Sequence, residues 1–208
     1  MSAADHAGLV VVNSGGANLG SIMIALRRLG IQPPLVDDAA SIQSAGRILL
    51  PGVGAAGPIM HRLRAFGLID ALRSVRVPLL GICVGMQVLY ERSEENATLG
   101  LGLLSGAVRR LRGRDGIRVP HMGWNTLEPA SGNAWSSPML DGINPGDYAY
   151  FVHSYVAPVG QDCLATVEHG ERFAALVQSG HVVGAQFHPE RSAQTGARLL
   201  SNFLEWQP

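Results

Sequence analysis

Leu79-Leu80-Gly81-Ile82-Cys83-Val84-Gly85-Met86-Gln87 is the stretch that decides how this chain is read. The apolar run Val77 to Ile82 is short and unbroken, as expected of a strand buried on both faces. Val84 to about Glu91 reads as a helix that follows at once. Between them stands one cysteine, with a glycine two residues before it and another two after. The serine form of this arrangement is the nucleophile elbow, where a strand turns sharply into a helix and lifts the nucleophile clear of the sheet. Glycines flank such a turn because a Cβ there would strike neighbouring backbone. A cysteine at a helix start also meets unsatisfied N–H groups and the positive end of the helix dipole, which favour a thiolate. The plainer alternative is a small buried cysteine in an ordinary strand-to-helix turn. The choice depends on partner groups elsewhere in the chain.

Upstream, strands and helices alternate. Leu9 to Val12 is an apolar strand and Asn13-Ser14-Gly15-Gly16 a turn. Asn18 is placed to cap a helix with the apolar face Ile22, Ala25, Leu26 and Leu29, ended by Gly30. The glycines at this turn do not form G-x-G-x-x-G, so a phosphate loop is set aside. Pro34 to Val36 is a second strand, and Asp37 and Asp38 read as turn and cap residues of a helix through Ala45. Arg47 to Leu50 is a third strand, running into the turn Pro51-Gly52-Val53-Gly54, and a helix is expected from about Pro58 to Arg73. This alternation predicts an α/β fold with a mostly parallel sheet and helices on both faces. Ligands of such sheets bind beyond the C-terminal strand ends, where both Pro51 to Gly54 and Cys83 lie.

From Ser93-Glu94-Glu95-Asn96, a polar loop, the pattern changes to short strands. These fall around Val108 to Leu111, Ile117 to Val119, Thr126 to Glu128, Tyr148 to His153, Ala165 to Val167, Ala174 to Val177 and His181 to Phe187. The arginine-rich stretch Arg109 to Arg118 reads as a solvated hairpin. A last helix, about Gln194 to Glu205, is expected to bury Leu199, Leu200, Phe203 and Leu204. No repeat, low-complexity segment or linker interrupts the chain, so one domain over residues 1–208 is expected.

Composition narrows the chemistry. The 208 residues carry 16 basic and 16 acidic side chains, so no basic face for nucleic acid is implied. Every basic residue is arginine, which excludes a Schiff-base lysine, a phosphate-loop lysine and a lysine general base. Cys83 and Cys163 form neither a disulfide framework nor a metal motif, and no metal or organic cofactor is expected. Met1 to Gly8 lacks the apolar segment of a signal peptide and no run is long enough to span a bilayer, so a reducing cytoplasm is expected.

The partner groups for Cys83 stand near the other end, in Gln186-Phe187-His188-Pro189-Glu190. In extended chain, side chains two apart point the same way, so His188 and Glu190 can approach one site together. A histidine that takes a thiol proton needs a third group to hold its ring and tautomer, and a carboxylate does this.

With these residues in hand, the chain resembles the class I, triad-type glutamine amidotransferases. G-I-C-V-G-M-Q, the P-G-V-G turn and Q-F-H-P-E carry the likeness, which runs from about Leu9 to Phe203. Pro120-His121-Met122-Gly123-Trp124-Asn125 and Tyr150-Phe151-Val152-His153-Ser154-Tyr155 point to the histidine-biosynthesis branch of that family. Val84 stands where leucine is usual, and Asn13 to Ala17 and Ala55-Ala56 also depart from the commoner pattern, none of them at the triad.

The resemblance implies a flavodoxin-like three-layer α/β sandwich, its central sheet mostly parallel with additional antiparallel strands. It implies hydrolysis of glutamine to glutamate and ammonia, with Cys83 as nucleophile, His188 as general base and acid, and Glu190 orienting the imidazole. Backbone N–H groups of Val84 and Val53 would form the oxyanion hole. Glutamine would be held by Gly54, Gln87, Glu95 and the strand end His153, Ser154 and Tyr155, with Glu95 facing the ammonium group. Asn13, Asn18, Pro120, His121, Met122, Trp124 and Asn125 would face the partner. That partner is the (β/α)8-barrel cyclase subunit of imidazole glycerol phosphate synthase, forming a heterodimer that passes ammonia between its sites. Amidotransferase subunits of other pathways and a catalytically silent module on the same fold remain as alternatives.

Overall fold

The computed structural model describes residues 8–15, 18–113, 116–130 and 134–208. The leading segment before Gly8, Gly16 and Ala17 of the first turn, and the centre of the arginine-rich stretch lie outside the described residues.

The first half alternates as its apolar runs require. In order come β1 (Leu9–Val12), α1 (Leu19–Arg28), β2 (Leu35–Val36), α2 (Ala39–Ser44), β3 (Arg47–Gly52), α3 (Ala56–Ala65), α4 (Leu68–Ser74), β4 (Leu79–Cys83) and α5 (Val84–Gln87). Strands β1, β3 and β4 are buried throughout, which is why they are apolar runs and not alternating ones. Asp38 caps α2, its carboxylate accepting from the Ser41 N–H at 2.8 Å. On α1, Ile22 and Leu26 are fully buried, with Ala25 and Leu29 packed at the edge of the core.

The second half adds β5 (Tyr90–Ser93), β6 (Thr98–Leu99), β7 (Leu104–Arg110), β8 (His121–Thr126), β9 (Glu128–Pro129), β10 (Tyr148–His153), β11 (Tyr155–Val156), β12 (Cys163–Glu168), β13 (Arg172–Ser179), β14 (Val182–Ala185) and α6 (Ala193–Glu205). The main sheet has the order β2-β1-β3-β4-β14-β13-β12-β9. It is parallel from β2 to β14 and antiparallel beyond. The parallel part has the flavodoxin-like order, with its fifth place taken by a strand from the chain's far end. Two smaller sheets, β10-β8 and β11-β7-β5-β6, stand beside it.

The β14–β4 pairing is what positions the site. Ala185 lies opposite Ile82 in parallel register, so the residues that follow each strand leave the sheet side by side. Cys83 is one step beyond Ile82 and His188 three beyond Ala185.

Several expected elements differ, and the strand expected over Ile117 to Val119 is reduced to a single bridge at Ile117. The single helix from Pro58 to Arg73 is two helices, divided at Gly67, whose φ of 66° ends the first as a left-handed residue after the helix C-cap. The helix after Cys83 stops at Gln87 and does not reach Glu91. Val88, Leu89 and Tyr90 are taken into backbone pairing instead, their carbonyls accepting from Leu101, Leu103, Leu104 and Gly102. Val88 and Leu89 form a buried turn that closes α5, and the chain becomes a strand at Tyr90. The start of the arginine-rich stretch is part of a strand paired elsewhere, and its centre lies outside the described residues. Arg109 and Arg110 belong to β7, which pairs with β11, and Arg109 bonds Glu171 at 2.8 Å.

Candidate active site

Cys83 sits at the C-terminal end of β4 with φ 52° and ψ −112°, a conformation few side chains adopt. Three glycines make room for it. A Cβ on Gly85 would come within 2.0 Å of the Leu50 carbonyl oxygen, one on Gly52 within 2.1 Å of the Gly85 nitrogen, and one on Gly81 within 2.7 Å of the Gly85 oxygen. The elbow is therefore wedged directly onto the backbone of β3. Because α5 has only four residues, its dipole is small, and the charge that counts at the sulfur is that of the neighbouring imidazole.

His188 is that neighbour. It is buried and, with Cys83, lines one cavity. Its Nδ1 lies 2.8 Å from Glu190 Oε1, which leaves Nε2 for the sulfur. Both side chains are shut off from solvent, His188 at 3% and Glu190 at 0% exposure. Burial alone would lower the His188 pKa. The neighbouring Cys83 sulfur and the Glu190 carboxylate outweigh it and lift the pKa to about 10.

The turn carrying these groups is locked from outside. Pro189 starts a single helical turn to Arg191. Buried Ser192 donates to the His188 carbonyl at 2.7 Å and accepts from the Tyr150 N–H at 2.9 Å. Gly196 of α6 lies so close that a Cβ there would meet the Pro189 oxygen at 1.9 Å.

A cavity of about 410 Å³ opens over the sulfur. Val53, Gly54, Cys83, Val84 and His188 line one side of it. Gln87, Glu95, His153, Ser154 and Tyr155 line the rest, together with Pro120 and Val152. Every residue expected to hold glutamine or the oxyanion therefore borders one space. Gly54 has a φ of 86°, so the turn needs glycine there.

Several expectations change in detail. Asn18 does not cap α1 through its side chain. Its amide turns inward and donates to Glu190 Oε1, the oxygen that also takes the His188 proton. Asn18 thus also braces Glu190 from behind. Asn13 holds Arg62 through its backbone and side-chain oxygens, at 2.8 and 3.1 Å. Glu95 is tied back to the start of α3, accepting from the Ala56 N–H at 2.7 Å. His121 is buried against Phe151 and His169 and presents nothing outward, because alternation on β8 turns it inside. Met122 and Trp124, its neighbours on the opposite side, are 65% and 51% exposed. Pro120 lies at the cavity wall, and Asn125 is held by the Glu168 carbonyl at 2.9 Å.

One residue beside the sulfur was given no role from sequence. Gln186, fully buried, places its Nε2 3.7 Å from Cys83 Sγ. Gln87 donates to its Oε1 at 3.0 Å. The signal was available, since Gln186 stands two residues before His188 on the same side of an extended segment.

Known proteins bear on this geometry. The family model described as glutamine amidotransferase class-I matches residues 10–206. This chain belongs to the class-I glutamine amidotransferases. The amidotransferase is 55% identical, over 95% of its length and 96% of the relative's, to imidazole glycerol phosphate synthase subunit HisH of Xanthomonas axonopodis pv. citri. It is 53% identical over the same shares to the protein of that name from Xylella fastidiosa. Among solved structures, one described as a glutamine amidotransferase superposes with a TM-score of 0.72 at 25% identity, covering 95% of this chain and 97% of that one. The fold is thus that of an amidotransferase, with the mixed sheet expected from the sequence.

Proposed function

We propose that this amidotransferase is the glutaminase subunit of an imidazole glycerol phosphate synthase and serves histidine biosynthesis. It hydrolyses the side-chain amide of glutamine. The reading rests on near-full-length identity to proteins of that name. It rests equally on the convergence of Cys83, His188 and Glu190 at one cavity. The whole chain acts as one glutaminase domain.

In this reading the Cys83 proton passes to His188 Nε2, and the sulfur attacks the amide carbon of glutamine. Negative charge gathers on the former carbonyl oxygen, where the N–H groups of Val84 and of the Val53 turn receive it. His188 then gives its proton to the departing nitrogen, the C–N bond breaks, and ammonia leaves a thioester on Cys83. A water loses a proton to His188, attacks the thioester carbon, and the C–S bond breaks to give glutamate. Glu190 keeps Nδ1–H pointed at itself throughout, so Nε2 always faces the sulfur. Glu95 and the strand end His153 to Tyr155 hold the amino-acid end of glutamine.

Ammonia released at this depth is useful only if it is kept from solvent. A (β/α)8-barrel cyclase subunit docked over the cavity mouth would accept it, forming imidazole glycerol phosphate and aminoimidazole carboxamide ribonucleotide. Exposed Met122 and Trp124 beside that mouth support such a docking face. A cytoplasmic setting, which keeps thiols reduced, suits a working Cys83. The test is glutamate release by the chain alone and with the purified cyclase and its ribonucleotide, for wild type and Cys83→Ala. Release that rises with the cyclase and vanishes in Cys83→Ala supports the reading; activity retained by Cys83→Ala, or indifferent to the cyclase, overturns it.

A further inference from the structure

The orientation of the Gln186 amide at the sulfur is not arbitrary, because a chain of side chains determines it. The chain ends on a backbone carbonyl. Tyr155 O can only accept, and it takes the His153 Nδ1–H at 3.0 Å and one Gln87 N–H at 2.9 Å. Gln87 Nε2 then has a single hydrogen left, and it points at Gln186 at 3.0 Å. Gln186 must meet that donor with its oxygen, so its own N–H groups face Cys83. Reversing the Gln186 amide would set two donors against each other in a site with no solvent to absorb the mismatch.

The same logic runs outward. His153 has committed its proton to Nδ1, so Nε2 accepts from His121 Nδ1 at 3.2 Å, and His121 Nε2 in turn faces the Asn125 amide at 3.3 Å. Both rings fit this chain only as neutral imidazoles. A buried amide whose oxygen is taken by Gln87 and whose N–H groups meet a sulfur is costly to keep unless the sulfur carries charge.

We propose that Gln186 is a catalytic residue of this glutaminase: its side-chain N–H donates to Cys83 Sγ and supports negative charge on the sulfur. It acts at the two moments when that charge is present. One is before attack, after His188 takes the thiol proton. The other is thioester breakdown, when the sulfur leaves with the C–S electron pair. His188 is protonated beside the sulfur at both moments, and Gln186 adds a second donor whose loss is read most directly in deacylation, where the sulfur is the leaving group. The proposal rests on Cys83 being the nucleophile.

Two substitutions separate donation from packing. Gln186→Glu keeps an oxygen for Gln87 and turns an oxygen toward the sulfur, while Gln186→Met fills similar volume with no donor. Each is assayed as the full chain with its cyclase for glutaminase kcat and KM, and as the full chain for iodoacetamide alkylation of Cys83 at neutral pH. Loss of a hydrogen bond to a charged group predicts a kcat lower by about tenfold or more in both variants, with KM within about threefold. Alkylation slows by a similar factor, and more in Gln186→Glu. Rapid quench with glutamine shows thioester accumulating in Gln186→Met. Unchanged kcat, or a lower kcat with alkylation as fast as wild type, overturns the proposal. Should Gln186→Glu fail to fold, the Met variant decides alone through the same two rates. Cys83→Ala guards the premise: if it still releases glutamate, the nucleophile has been misassigned. If it is inactive while both Gln186 variants match wild type, only the role of Gln186 falls.

Discussion

Asn18 and His188, far apart in the chain, converge on a single oxygen, Oε1 of Glu190, and so fix the imidazole from behind. The imidazole supplies its Nδ1–H at 2.8 Å and Asn18 its amide N–H. A carboxylate that receives two donors on one oxygen holds both in place, and its charge keeps His188 ready to carry a proton.

Glu190→Gln keeps the shape and removes the charge. We expect kcat to fall about a hundredfold with little change in KM, since the imidazolium loses its counter-charge in the transition state. The His188 pKa, now about 10, should drop, so proton donation to the leaving nitrogen fails at lower pH than in wild type. The pH dependence of glutamate release checks both. An unaltered profile would mean that Glu190 does not tune His188.

Gly85→Ala tests the wedge beneath the elbow. Its Cβ would lie 2.0 Å from the Leu50 oxygen, a contact that backbone on both sides cannot relieve cheaply. The expected loss is about 3 kcal/mol of stability, at the upper end for overpacking, together with loss of activity as Cys83 moves off its strained conformation. Chemical denaturation measures the first. A variant as stable as wild type would show that the elbow can slide along β3.

Stability should also respond to pH through His121 and His153. Burial, the largest influence, and neighbouring imidazole charge depress their pKa values to about 4 and about 3, from 6.5. On acidification below pH 6.5 the unfolded imidazoles take up protons while the native ones stay neutral, so stability falls with pH until the native values are reached. The slope is at most about 1.4 kcal/mol per pH unit for each histidine. His188 works on the other side. Its raised value gives stability that is fully present below 6.5 and is lost as pH rises toward about 10. Unfolding free energy should therefore peak near neutrality. Equal unfolding free energies at pH 7 and pH 5 would contradict the burial of two neutral rings.

Trp124→Ala probes the proposed docking face. Trp124 is half exposed and braced edge-on by Tyr150, with ring centroids 5.8 Å apart. As an aromatic anchor its removal should weaken cyclase binding by about 2 kcal/mol, some thirtyfold, with monomer stability unchanged. Titration of labelled cyclase reads the first and thermal melting the second. Binding as tight as wild type moves the interface elsewhere.

Much of this was legible before any coordinates. Glycine on either side of Cys83 foretold the close backbone contacts at Gly81 and Gly85, since no other residue tolerates them. The two-residue spacing of His188 and Glu190 foretold their pairing, because extended chain repeats at that interval. Helix ends were harder to read. Gly67 interrupts a run that is otherwise apolar at helical spacing, and its left-handed φ is a property of how α3 and α4 pack. The segment after Gln87 is apolar on all sides, and periodicity cannot distinguish a buried helix from a buried strand in so short a run.

Local chemistry along the chain was enough to single out Cys83, His188 and Glu190 as candidates, because an elbow and an extended tripeptide are built from near neighbours whose steric demands are visible in residue type. Which side chains stand behind them was a matter of folding alone. Strand β14 pairs with β4 in one register, and that pairing delivers His188 and Gln186 to Cys83, while Asn18 reaches Glu190 from the start of α1. Hydrogen-bond polarity across the site likewise traces to one carbonyl, Tyr155 O, reached from β10 by His153 and from α5 by Gln87. Such contacts depend on long-range packing, and a linear order of residues carries no record of distances between elements that meet only after the chain has closed.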